Sequence, residues 1–179
     1  MLKALACVSA GVFVLSLAVH TALDHTRAWI NISDSLPYGL YQTEAEDGSG
    51  YQTGDLVLSC VPELYAHYAF DRGYIAAGSC SARTAPVGKY IAAAPGDHVI
   101  INADGVFVNG RLMKNSRPAL VDSEGQPLIA RKMNKVLSDG EYILLNPKMN
   151  SFDSRYFGVV SEEHFIAKLR KLYTLADNS

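Results

Sequence analysis

The pattern of apolar and polar positions divides the chain into one long apolar stretch and a series of short segments. Ala4 to Leu23 runs for 20 residues without a charge. As a helix, 20 residues span roughly 30 Å, about one hydrocarbon core. Lys3 precedes the run, and Asp24, His25 and Arg27 follow it. A basic amino end favours a cytoplasmic N-terminus. The pattern fits a retained single-span anchor in contact with membrane lipid. A cleaved signal peptide, with Ser16-Leu17-Ala18 as its small-x-small site, competes with it, as does a buried core helix. The first two readings place residues 24–179 outside the cytoplasm.

Past this run the periodicity shortens. Gly48-Ser49-Gly50, following Glu44, Glu46 and Asp47, reads as an exposed turn. Gly54 to Cys60 reads as a strand, and Glu63 to Ala77 as partly helical. Lys89 to Ala94 is a short apolar strand that stops at Pro95-Gly96-Asp97. In His98 to Met113, the tight-hairpin dipeptides Asp104-Gly105 and Asn109-Gly110 bracket Val106-Phe107-Val108, which predicts a meander. Glu141 to Leu145 reads as another strand. From His164 to Thr174 the alternation suits a strand, although the acidic start and basic end also suit a helix dipole; the strand is preferred. The expectation is a mainly β chain: an anchor or signal segment over 1–23, a linker over 24–30 and one folded domain over 31–179.

Composition narrows the function. The chain has 179 residues, 49% hydrophobic and 19% charged, with a formal net charge of −2. The apolar content excludes general disorder. The near-neutral balance argues against nucleic acid as a partner. Cys7 lies in the apolar run. Cys60 and Cys80 lie in the exported part, where they either pair or remain two buried thiols. No CxxC and no metal-ligand spacing is present, so neither metal nor cofactor is expected.

Three segments carry candidate chemistry. In Asn31 to Tyr41, Ser35 sits on a stretch that Pro37 and Gly39 force to turn; it is either a nucleophile or, with Ser33 and Asp34, a turn cap. In Val87 to Asp97, Lys89 lies among small and apolar residues. Buried there, its ammonium would be desolvated and its pKa would fall, leaving a neutral amine able to act as a general base; the alternative is an ordinary solvated lysine. In Asn150 to Gly158, Ser151, Asp153 and Arg155 alternate, so on an extended chain they would share one face, with Asp153 and Arg155 paired. The five histidines, His20, His25, His67, His98 and His164, lie in none of these segments, against a Ser-His-Asp triad.

Taken together, Ser35-Leu-Pro37, Lys89 ahead of Pro95-Gly96-Asp97, and Asn150-Ser-Phe-Asp-Ser-Arg-Tyr-Phe-Gly158 resemble the signal peptidase I family of Ser–Lys peptidases. Ser35-Leu-Pro-Tyr-Gly-Leu-Tyr41, the compact size and the Cys60/Cys80 pair are similar to its conjugative-transfer, TraF-type branch. The resemblance implies a signal-peptidase-like β-sheet or barrel domain behind an N-terminal transmembrane helix. It implies Ser35 as nucleophile, Lys89 as general base and Ser151 orienting Lys89. The Ser35 N–H and the Ser33 hydroxyl would form an oxyanion hole, with Asp153 and Arg155 as structural braces and no cofactor. The implied substrate is an exported precursor, most specifically the propilin of a conjugative apparatus, processed by cleavage or by cyclisation. The implied location is the bacterial inner membrane, single pass, with the catalytic domain in the periplasm. A housekeeping leader peptidase and a silent anchored assembly module are the alternatives. One departure stands out: Asn146-Pro-Lys-Met-Asn150 replaces the family's usual Gly-Asp-Asn-x-x, so no role of that acidic residue carries over.

Overall fold

Short apolar segments separated by glycine- and proline-bearing turns bury their backbone polar groups by pairing as antiparallel strands. The computed structural model describes residues 12, 13, 16, 17, 21, 27–45 and 48–175. From residue 27 on, the described residues form eleven strands and two α-helices in order: β1 (Ala28–Asn31), β2 (Gly39–Thr43), β3 (Leu56–Ser59), α1 (Glu63–Asp71), β4 (Val87–Ala93), β5 (His98–Asn102), β6 (Gly105–Val108), β7 (Arg111–Leu112), β8 (Met133–Val136), β9 (Glu141–Leu145), α2 (Ser154–Phe157), β10 (Val160–Ser161) and β11 (Phe165–Thr174). The mainly β expectation holds. Among the described residues no helix is long and apolar enough to cross a membrane. The span expected over 4–23 lies mostly outside the described residues, and Cys7 entirely so.

A seven-stranded antiparallel sheet runs β1-β2-β11-β3-β4-β9-β10, and a four-stranded one runs β7-β6-β5-β8. The larger sheet is open, with β1 and β10 at its edges. The predicted meander is the β5-β6-β7 unit of the smaller sheet, in the register Val99↔Val108 and Phe107↔Leu112. The ambiguous tail is a strand because it has partners on both sides: Phe165–Lys168 pairs with β3, and Leu169–Thr174 with β2. Strand pairing begins at Ala28, inside the stretch read as a linker.

β4 lies between β3 and β9, and so in the interior of the larger sheet, paired on both sides. Its residues Ile91, Ala92 and Ala93 enter the core on both sides. One apolar cluster, Val57, Ile91, Leu144 and Phe157 among others, packs α1 against the sheet. A second lies between the sheets around Val99, Ile101, Val106 and Ile143. A third, Leu36, Tyr41, Leu56, Leu58 and Leu169 with Trp29 and Tyr90, sits beneath the turn that carries Ser35. Cys60 and Cys80 form a disulfide with Cα atoms 5.8 Å apart. It ties the end of β3 to the segment that leads into β4, across the loop that contains α1.

Candidate active site

The Ser35 turn joins β1 to β2. Asn31, the last residue of β1, is 3% exposed and directs its side chain into the turn. Its Nδ2 donates to the carbonyls of Ser33 (2.9 Å), Leu36 (2.9 Å) and Pro37 (3.2 Å). Its Oδ1 accepts from the Ser33 N–H (3.2 Å) and the Ser33 hydroxyl (2.8 Å). Tyr41 adds a bond from its hydroxyl to the Pro37 carbonyl at 2.8 Å. Ser33 is exposed and Ser35 half-buried.

Lys89 sits opposite Val57 on an interior strand of the sheet. It is 1% exposed, and its Nζ donates to Ser151 Oγ at 2.6 Å. Burial pushes its pKa down from 10.5 to about 8; the Asp153 carboxylate partly offsets this and the Arg155 guanidinium adds to it. The solvated-lysine alternative is therefore excluded. Gly88, next to it, is closely covered: a Cβ there would lie 2.6 Å from Leu36 Cδ1 and 3.1 Å from the Trp29 ring, so a side chain would force Leu36 to move. The nucleophile turn and the lysine strand thus meet in van der Waals contact through a missing side chain.

The third segment brings the expected residues together by a different geometry. Ser151, Asp153 and Arg155 do not alternate along a strand, because the chain turns at 148–151 and Ser154–Phe157 is helical. Asp153 caps that helix, accepting from the Arg155 N–H. A capped helical turn satisfies backbone donors that a buried extended segment would leave bare. Arg155 folds back onto Asp153 through Nε (2.8 Å) and Nη2 (2.7 Å). Its Nη1 reaches the carbonyls of Asn115 and Met149, and Nη2 is shared with those of Lys148 and Ser151. Both side chains are fully buried. The brace therefore grips the loop that carries Ser151, and through it the Lys89 amine. Asn146 stands where the acidic residue of the general pattern is absent. Its Nδ2 donates to the Gly88 carbonyl at 3.1 Å, and its N–H to Asp153 Oδ2 at 3.2 Å.

Ser33, Ser35 and Lys89 line one cleft of about 540 Å³, walled also by Tyr74, Ile75, Val87 and Phe152. Among the described residues no hydrogen bond joins Ser35 to Lys89; the amine is held by Ser151. The arrangement offers a hydroxyl on a pinned turn and a desolvated amine facing the same space, which are the parts an activated serine nucleophile needs. No cluster of His, Cys, Asp or Glu among the described residues could hold a metal ion.

Residues 2–174 match the family described as signal peptidase, peptidase S26. The chain belongs to the S26 family. Relatives within it include a plasmid transfer protein TraF of Escherichia coli, 35% identical over 170 residues and covering 93% of both chains. A conjugal transfer protein TraF of Agrobacterium fabrum is 34% identical over 146 residues, 81% of each chain. Among solved structures, a signal peptidase I of Enterococcus faecalis matches 67% of this chain and 97% of its own, at 18% identity and a TM-score of 0.39.

Beside Ser33, Ser35 and Lys89, the walls of the cleft depend on groups that the sequence pattern does not single out. Asn31 had a legible signal, an Asx residue two positions before Ser33. Tyr74 and Asp122 had none: the Tyr74 hydroxyl donates to Asp122 Oδ2 at 2.5 Å, and Arg72 Nη1 reaches the same oxygen at 3.2 Å. This clasp joins the loop beyond β7, whose Ser123 lines the cleft, to the segment after α1.

Proposed function

We propose that this chain is a membrane-anchored serine endopeptidase that uses a Ser35–Lys89 dyad to process an exported precursor. The observation that carries the reading is Lys89: a fully buried amine, lowered to about 8, facing the cleft that Ser35 lines. An amine with that pKa is partly neutral near pH 7–8, where an ordinary lysine is not. Lys89 Nζ takes the proton of Ser35 Oγ as the oxygen attacks the scissile carbonyl. It then delivers that proton to the leaving amine, and water or another amine resolves the acyl-enzyme. Catalytic hydrogen bonds commonly tighten only in the substrate complex. Ser151 fixes the amine from its far side meanwhile.

The oxyanion is assigned to the Ser35 N–H and the Ser33 hydroxyl. Asp153 and Arg155 act as braces, not as reacting groups. Residues 1–23 serve as the anchor, 24–30 as the link to the catalytic domain over 31–179, and the N-terminus lies in the cytoplasm with the domain in the periplasm. Relatives named for plasmid and conjugal transfer favour a conjugative propilin as substrate. Co-expression with a candidate propilin, followed by mass spectrometry of the product, tests the reading. Processed pilin with the wild type and uncut precursor with Ser35→Ala supports it; processing by Ser35→Ala overturns it.

A further inference from the structure

Asn31 is the hub of the nucleophile turn and lines the cleft beside Ser33, Ser35 and Lys89. Its carboxamide makes five hydrogen bonds, all to the six residues that follow it. Three are to carbonyls on either side of Ser35, so the path of the chain through Ser35 is pinned before and after the nucleophile. No other side chain of this length supplies both functions: aspartate lacks the donors and leucine lacks both.

The Oδ1 end does something separate. It holds the Ser33 main chain through N–H and the Ser33 side chain through O–H. A serine hydroxyl has one proton to donate. When that proton turns towards an oxyanion, Oδ1 keeps the Ser33 N–H. The switch therefore leaves no buried acceptor without a partner, a loss that would otherwise be costly.

We infer that Asn31 is the positioning residue of this site: Nδ2 fixes the turn that presents Ser35, and Oδ1 holds the Ser33 hydroxyl until the oxyanion forms. The inference rests on the Ser35–Lys89 reading. It predicts that Asn31 acts on the transition state and not on substrate binding.

The test uses the full-length chain in detergent micelles with acetyl-Ala-Ser-Ala p-nitrophenyl ester as the probe. Asn31→Asp keeps an acceptor for Ser33 and removes the Nδ2 donors; Asn31→Ala removes both. Each lowers kcat by about a hundredfold, the scale of a misplaced reacting group, and leaves KM within about twofold. The double variant Asn31→Ala/Ser33→Ala is no slower than about twofold below the Asn31→Ala single, because the two residues act as one unit. A kcat within about twofold of wild type for both Asn31 variants, a loss confined to KM, or fully additive losses would overturn the inference. Should the variants unfold, proton exchange at the Asn31 carboxamide in the wild-type protein decides: slow exchange is expected, and exchange as fast as an exposed carboxamide overturns it. Ser35→Ala runs alongside. An inactive Ser35→Ala beside wild-type-like Asn31 variants removes this inference alone, whereas an active Ser35→Ala removes the dyad beneath it.

Discussion

Lys89 Nζ donates to Ser151 Oγ at 2.6 Å, with both residues 1% exposed. Since the hydroxyl accepts from the amine, it steadies the protonated form and sets the direction of the lone pair in the neutral one. Ser151→Ala is expected to lower kcat by at least about tenfold, part of the roughly 10²–10⁴ that general-base catalysis contributes as a whole. The midpoint of the pH–rate profile moves down, because the charged amine loses an acceptor. Steady-state kinetics across pH checks both, with urea denaturation confirming that the fold is retained.

Burial of the amine also marks the stability curve. The folded pKa of about 8 lies below the ordinary 10.5. Under about pH 8 both folded and unfolded chains hold the proton. Between these two values the unfolded chain holds a proton that the folded chain has released, so stability rises with pH. The rise amounts to about 3 kcal/mol across the window. Lys89→Met removes that component. Urea denaturation at pH 8 and pH 10.5 is expected to show the wild type gaining stability over this variant at the higher pH; equal slopes would contradict the buried-amine assignment.

Arg155 holds Asp153 by two bonds and four carbonyls besides, with no exposure of either side chain. Removing one member of a buried pair leaves an uncompensated charge and costs about 3–5 kcal/mol. Asp153→Ala and Arg155→Ala are each expected to lose that much in denaturant titrations. Since the same carbonyls shape the loop that bears Ser151, activity falls with stability. Arg155→Lys rescues neither, because an ammonium cannot reproduce the planar fork.

The Cys60–Cys80 disulfide closes a segment of 20 residues that holds α1 and the Tyr74–Ile75 wall of the cleft. Chain-entropy arguments assign such a loop about 3 kcal/mol. Cys60→Ser/Cys80→Ser is expected to lower stability by that order, read as a shift of the denaturation midpoint. Non-reducing mass spectrometry of the protein should find both cysteines blocked to alkylation.

Much of this fold is legible in the amino-acid sequence. Glu141–Leu145 and the His98–Leu112 meander follow from short apolar runs and hairpin dipeptides. Lys89 stood out as the one charge between Thr84 and Gly96. β1 was hidden because an edge strand has only one paired side and shows no alternation. The Ser151-Asp153-Arg155 spacing suggested an extended face. Instead Asp153 satisfies the first turn of a helix, a local choice that alternation does not encode. The Asp122 clasp on Arg72 and Tyr74 joins residues 50 and 48 positions apart, beyond any local pattern.

The central claim is that neutral Lys89 activates Ser35. Its most direct measurement is single-turnover acylation of Ser35 by acetyl-Ala-Ser-Ala p-nitrophenyl ester from pH 6 to 10, for the wild type and Lys89→Arg. The account predicts a wild-type rate that rises through one ionisation near the Lys89 value of about 8, and no acyl-enzyme from Lys89→Arg, whose guanidinium stays protonated throughout. A flat wild-type profile, or acylation of Lys89→Arg at the wild-type rate, would contradict it.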